Sequence, residues 1–522
     1  MALENVGHSA IEQNLEQFLL VLSVSLSVAT LSRVFSWFRQ IPYTLLLVIV
    51  GLCLAFVDVR LVNLSPELIL EIFLPPLLFE AAWNLKWRDL LENWVPVVLY
   101  AIFGVIISVV GIGLTLNHFA AIPLATALLA GTTLAATDPV SVIALFKELG
   151  AGKKLKTIME GESLFNDGVA VVAFSLLVGI PLGIEKFDFF VSLVRFFVFV
   201  GVGIGVGSLI GFGISYLTQR FDLPLVEQSL TLVAAYGTYL ITEKLGGSGV
   251  IGVVTVALIL GNFGSRIGMN PRTRLIVTEF WDFLAFFVNS IVFLLIGDQI
   301  RYQSLADDFG LIVLAIGAVL LTRLVSIFLL GFISNLFTKV DLSWQEMLVF
   351  WWGGLRGSVS IALVLSIPVA LTGRQEITDI VFGVVLFTLL VQGLTTQFLL
   401  QTLGLIGDDR QLQQEYSEMV ARRIALTRVM NFLSSGEDFR QVDPEFFNYQ
   451  AELVEGQLKS LEEETYKLVA KHPQLRETVN EQVRDRLLDI EADTYAELIR
   501  TGWLNDRLSP LLQDVLGREE NL

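Results

Sequence analysis

Long apolar runs joined by short polar links fill the first 406 residues of the chain. A helix needs about 20 mostly apolar residues to cross the hydrocarbon core of a bilayer. On that measure about thirteen runs qualify: 15–36, 41–57, 66–83, 93–116, 121–149, 157–182, 189–218, 224–245, 248–263, 275–297, 310–335, 342–370 and 377–405. After them the pattern changes. Apolar residues recur at helical spacing inside strongly charged stretches, "LVEGQLKSLEEETYKLVAK" and "VRDRLLDIEADTYAELI", punctuated by Pro444, Pro473 and Pro510. The pattern predicts an all-α polytopic membrane domain over 1–406 and a helical tail over 407–522, without a catalytic motif. The "EEE" run of the tail reads as a solvated helix face.

Two of the runs are interrupted. The fifth contains "LAATDPVSV", where Pro139 removes a backbone donor and disfavours helical geometry at Asp138. The twelfth contains "WWGGLRGSVSIAL", with glycines on both sides of Arg356. If 15–182 and 224–405 are two repeats of six helices, both breaks fall on the fifth helix of a repeat. Interrupted helices in matching positions point to an inverted-repeat transporter with its site near the bilayer midplane. Glycines that merely let helices pack closely are the other reading of either segment alone.

Composition sharpens the division. Of 522 residues 54% are hydrophobic and only 17% charged, where a soluble chain carries about a quarter. The charges are uneven: about 12% of residues 1–406 against about a third of the tail. A net charge of −17 argues against nucleic acid as a partner. The single cysteine, Cys53, leaves no intrachain disulfide, and the N-terminus has no basic stretch of the kind that opens a cleavable signal. An odd number of spans puts the termini on opposite sides. The loops on one side hold about 13 Lys and Arg, among them Arg33, Arg39, Lys86, Arg88, Lys153, Lys154, Lys156, Arg220, Arg266 and Lys339; the other side holds about 5, among them Arg60, Lys244, Arg301 and Arg374. The richer side is expected to be cytoplasmic, with the tail there and the N-terminus outside.

Ionisable residues inside spans are costly to bury and are functional candidates by default. The important set here is Glu80, Asp138, Glu162, Asp167, Arg323 and Arg356. In "GESLFNDGVAVV" Ser163 and Asp167 are four apart and share a helix face, with Asn166 alongside. Glu162 points about 140° away from Asp167 and needs a different partner. Asp167 lies ~15 Å of helical rise beyond Thr157, near mid-bilayer. Asp138 follows Thr137 at a break that frees backbone carbonyls. Hard cations take oxygen ligands, so Thr137 and Asp138 are ligand candidates, and Asp138 is equally suited to capping a half-helix. Glu80, after Pro75 and Pro76, is either a site residue or a headgroup-level carboxylate beside Trp83. Arg356 needs a counter-ion, and Glu162 is the best candidate, as a structural pair. The three histidines, His8, His118 and His472, lie at ends or in loops, so any protons that move are carried by carboxylates. No P-loop and no potassium-filter motif occurs, and "GVGIGVGSLIGFG" at 201–213 reads as a packing face.

The stretches "FLPPLLFEAAW", "TTLAATDPVSVIALFKELG", "GESLFNDGVAVV" and "GGLRGSVSIAL" together resemble the sodium/proton antiporters of the bacterial NhaP and eukaryotic NHE kind, and cyanobacterial members among them. The resemblance spans the membrane domain; the tail has no counterpart in it. It implies electroneutral exchange of one cation for one proton, a homodimer, and a mobile core domain moving against a dimerisation domain. It implies that Asp167 is the ion-binding aspartate, with Asn166 beside it, Ser163, Thr137 and Glu80 as further ligands of Na+, Asp138 as the second aspartate, and Glu162 with Arg356 as a structural ion pair. The Asn166–Asp167 sequence marks the electroneutral branch. No cofactor is expected beyond the transported Na+ or Li+ and H+. The expected setting is a bacterial inner membrane and the expected role sodium and pH homeostasis. A potassium/proton exchanger is the alternative within the class; a cation channel or a transporter-like sensor is the alternative outside it, and obligate coupling separates these.

Overall fold

A computed structural model describes residues 2–35, 41–57, 61, 64–149, 152–218, 223–265, 269, 271–338, 341–405, 409–435, 444–472 and six positions between 483 and 498. Of the loop cations above, Arg39, Arg60, Arg220, Arg266 and Lys339 lie outside the described residues, as do Pro473, Pro510 and most of "VRDRLLDIEADTYAELI". All regular structure among the described residues is helical.

The chain divides into two compact units, one within Met1–Leu405 and one within Ile406–Ile499. In the first, helices occupy the apolar runs. They are α1 (Ala2–Val34), α2 (Tyr43–Phe56), α3 (Leu74–Asn84), α4 (Trp94–Ala120), α5 (Leu124–Thr133), α6 (Val140–Leu149), α7 (Lys153–Leu177), α8 (Phe189–Thr218), α9 (Pro224–Lys244), α10 (Gly249–Ile259), α11 (Pro271–Asp298), α12 (Phe309–Phe337), α13 (Trp344–Trp352), α14 (Ser358–Leu365) and α15 (Arg374–Phe387). Five stretches are long and apolar enough to cross a membrane unbroken: Trp94–Ala120, Phe189–Thr218, Arg272–Asp298, Phe309–Phe337 and Arg374–Thr402. The 25-residue α7 has the length but carries the charges of "KKLK" and "EGESLFND". The second unit contains α16 (Asp409–Ser435) and α17 (Pro444–Lys471), where the Thr465 hydroxyl meets the Met419 sulfur at 3.9 Å.

Local irregularities follow from the sequence. Pro75 and Pro76 stand in the first turn of α3, preceded by a π-helical turn over Leu68–Phe73. Pro76 has no N–H for the Ile72 carbonyl four residues back, and the Tyr236 hydroxyl from α9 donates to that carbonyl instead, at 2.9 Å. The fifth and twelfth runs each split into two half-helices, α5/α6 around Leu134–Pro139 and α13/α14 around Gly353–Gly357.

The two breaks meet. The Asp138 N–H donates to the Leu355 carbonyl at 2.9 Å. Glycine is needed on the second strand of this crossing: a Cβ on Gly357 would fall on the Asp138 carboxylate, and one on Gly354 would fall on the Arg323 guanidinium. The glycines around Arg356 thus clear room for two charged side chains to reach the broken backbone.

Candidate functional site

A break in a buried helix exposes one carbonyl end and one N–H end, so the two breaks together expose four, each with unpaired groups and a partial charge. This chain matches each with an ionisable side chain. At the carbonyl end of α5, Arg356 donates from Nη1 to the Ala135 and Ala136 oxygens, both at 2.8 Å. At the carbonyl end of α13, Arg323 donates from Nε and Nη2 to the Phe350 oxygen at 3.2 and 3.0 Å. At the N–H ends, Asp138 accepts from Val140 N, the first residue of α6, at 3.0 Å, and meets the backbone amide of Ser358, the first residue of α14. One carboxylate therefore caps two half-helices, which accounts for an Asp immediately before the proline.

The polar residues of α7 split between two faces. Lys156, Glu160, Ser163 and Asp167 fall on one stripe and line a cavity of about 590 Å³. Asp138, Pro139 and Ser358 from the crossing line it too, as do Glu80 and Asn84 from α3 and Asp282 and Asn289 from α11. The cavity runs from the exposed Asn84 and Asp282 to the buried crossing. Asp167 Oδ1 is buried there with no hydrogen-bond partner among the described residues. Ser163 donates its hydroxyl to the Thr137 carbonyl. Asn166 donates to the Thr137 hydroxyl at 2.5 Å and accepts from the Thr137 N–H at 3.3 Å. Thr137 is thus tied to α7 at three points, and its oxygens face Ser163 and Asn166, not the open cavity.

The other face of α7 carries Glu162, and here the sequence expectation needs correction. The direct partner of Glu162 is Arg323 from α12, in a two-pronged contact at 3.1 and 3.3 Å, and not Arg356. Asn166 also reaches Glu162, at 3.4 Å. Arg356 is spent on the α5 carbonyls; its Nε and Nη2 have no partner among the described residues. The physical reason is position. Arg356 sits on the irregular strand of the break, next to unpaired carbonyls, whereas Arg323 projects from a continuous helix that packs beside α4, toward Tyr100 and Glu162.

Among the cavity residues that escaped the sequence reading are Asn84, Asp282 and Asn289. The last two were findable. Asp282, Ala285, Phe286 and Asn289 follow i, i+3, i+4, i+7 spacing, so two polar residues mark one face of an otherwise apolar helix.

An oxygen-rich pocket at the crossing of two broken helices suits a hard monovalent cation and a proton. Comparison with known proteins agrees with that chemistry. The family model described as "Sodium/hydrogen exchanger, transmembrane" matches residues 22–402.

The chain belongs to the sodium/hydrogen exchanger family.

It is 67% identical over 518 residues to the Na(+)/H(+) antiporter ApNhaP of Aphanothece halophytica, covering 99% of each chain. It is 62% identical over 512 residues to the low-affinity Na(+)/H(+) antiporter NhaS1 of a Synechocystis strain, covering 97% of each. Among solved structures it is similar in fold to the sodium proton antiporter MjNhaP1 of Methanocaldococcus jannaschii, with a TM-score of 0.59 at 22% identity, covering 75% of this chain and 97% of that one. The membrane unit of this exchanger is thus an all-helical polytopic protein of the MjNhaP1 fold, and the family is one of transporters, not enzymes.

Proposed function

We propose that this exchanger moves Na+, or Li+, against H+ by alternating access, with both ions using the Asp167 carboxylate in turn. The observation that carries the reading is the buried, unpartnered Asp167 Oδ1 on the wall of a polar cavity that ends at two crossed half-helices. A carboxylate oxygen in that position needs either a proton or a cation. The family and the names of ApNhaP and NhaS1 as Na(+)/H(+) antiporters support sodium as the cation. Ser163, Glu80 and Asp138 are the further oxygen donors of the cavity; Thr137 offers its carbonyl once Ser163 turns toward the ion, because the two oxygens are joined to each other here. Asn166 holds Thr137 against α7 and keeps the crossing in register.

In this reading two six-helix repeats over 15–182 and 224–405, with the run 189–218 between them, make about thirteen spans. The N-terminus is outside and the acidic helical tail is cytoplasmic. The cavity then opens inward, since Lys156 and Glu160 near the start of α7 line it and the lysine-rich start of that helix falls on the cytoplasmic side. The working unit is a homodimer in a bacterial inner membrane, and exchange is one cation for one proton.

The test uses the purified chain in liposomes with a lumenal pH dye. An imposed Na+ gradient drives proton flux in the opposite direction, and clamping the potential with potassium and valinomycin leaves the final sodium distribution unchanged. Conductance without proton movement overturns antiport. A sodium distribution that follows the potential overturns one-for-one exchange, since 100 mV acts on a net charge with about 2.3 kcal/mol.

A further inference from the structure

Glu80 enters the cavity from a helix with a weakened base. The segment before it is π-helical, and Pro75 and Pro76 remove two backbone donors just upstream. A carboxylate on such a helix needs lateral support to hold one orientation. The support comes from α11. Asn84, one turn beyond Glu80, donates from Nδ2 to Glu80 Oε1 at 2.7 Å and to Asp282 Oδ1 at 3.1 Å. A primary amide nitrogen has two hydrogens, so this one spends both on carboxylates, each a charge-assisted bond. Next to it, Trp83 Nε1 donates to Thr278 Oγ1 at 3.0 Å. Thr278 and Asp282 are one turn apart on α11, so the end of α3 is fastened to α11 at two adjacent points. Glu80, Asn84 and Asp282 all line the cavity that also holds Ser163 and Asp167 from α7.

We propose that Asn84 and Asp282 are positioning residues for transport: Asp282 holds the Asn84 amide from α11, and Asn84 in turn orients the Glu80 carboxylate on the cavity wall, which sets how tightly the cation is held on its way to Asp167. The inference rests on the reading of this cavity as the cation path. It assigns Asn84 no contact with the ion; its effect passes through Glu80. A fastening that only joined two helices would influence stability alone, whereas a positioning amide influences the cation affinity.

The experiment compares wild type, Asn84→Ala, Asp282→Ala, Glu80→Gln and the double variants as full-length chains in proteoliposomes, with Na+-driven proton flux read at fixed pH. Losing a charge-assisted bond at a part-exposed position raises the apparent KM for Na+ roughly three- to tenfold in Asn84→Ala, with Vmax within about twofold of wild type. In the Glu80→Gln background Asn84→Ala adds nothing further, because the pair acts as one unit. Asp282→Ala raises KM less than Asn84→Ala and adds little on top of it. Where Glu80→Gln transports too slowly, Na+-induced thermal stabilisation of the detergent-solubilised chains gives the same comparison. A wild-type KM in Asn84→Ala, a lowered melting temperature without a change in KM, or KM effects that multiply independently in the double variant would overturn the proposal. Absence of Na+-driven flux in wild type would instead overturn the transport reading, and this inference with it.

Discussion

Removing Arg323 is the sharpest structural perturbation available near the site. Arg323 and Glu162 are almost fully buried, with side-chain exposures of 8% and 4%. Arg323→Met keeps most of the side-chain volume and removes four polar contacts: two to the Glu162 carboxylate and two to the Phe350 carbonyl. Glu162 is then a buried carboxylate whose one remaining donor among the described residues is Asn166, at 3.4 Å. Breaking a buried pair from one side destabilises by about 3–5 kcal/mol, chiefly through the charge left behind. At about 2 °C per kcal/mol, the lower end of the range for single domains, that is a drop on the order of 6–10 °C in melting temperature. Replacing both partners, as in Glu162→Gln with Arg323→Met, recovers most of the loss because no uncompensated charge remains. The assay is thermal unfolding of purified protein in one detergent at fixed protein concentration, beside the yield of folded protein. An Arg323→Met chain that melts within about 1 °C of wild type would refute the reasoning, since it predicts a shift several times larger. A double variant no more stable than Arg323→Met would refute it too.

Three further outcomes follow from the same geometry. Gly357→Ala puts a methyl group on the Asp138 carboxylate; overpacking of this kind costs about 1–3 kcal/mol, and both melting temperature and Na+-driven flux fall, as thermal unfolding and the liposome assay will read. Deleting the residues after Asp409 leaves coupled exchange in place while shifting its pH or cation dependence, because every cavity-lining residue precedes the tail; a truncated chain that folds but exchanges nothing over a broad pH range would contradict this. Competition of Na+ and H+ for one carboxylate raises the apparent KM of each with the other; protonation excludes Na+ at low pH, so more Na+ moves the acidic limb of the activity profile to lower pH, by up to about one unit per tenfold rise, and an acidic limb fixed across a hundredfold range refutes a shared site.

Much of the site was legible because helical spacing is a local property. The four-residue step from Ser163 to Asp167 puts both on one face, and both line the cavity; the five-residue step from Glu162 turns it away, and it meets Arg323 and not the cavity. Pro139 and the glycines around Arg356 marked the breaks. What spacing cannot encode is which distant group completes a buried charge. Arg323 and Arg356 were both cations in apolar runs, and the choice between them turns on where the Ala135 and Phe350 carbonyls lie once α5 and α13 end. Nor does spacing reveal that one residue, Asp138, serves the N-termini of two half-helices from different ends of the chain. Asn84 was hidden for another reason: it looks like an ordinary polar residue at a helix end, and only the approach of α3 to α11 joins it to Asp282.

The central claim is that one carboxylate, Asp167, carries both ions. Asp167→Asn keeps size and polarity and removes the group that takes up and releases the proton. The decisive measurement is Na+-driven proton flux by this variant in liposomes, after gel filtration and thermal unfolding have matched it to wild type in assembly and stability. The account predicts no exchange above empty liposomes at any pH at which wild type is active. Substantial Na+-driven proton flux from a well-folded Asp167→Asn chain would contradict it.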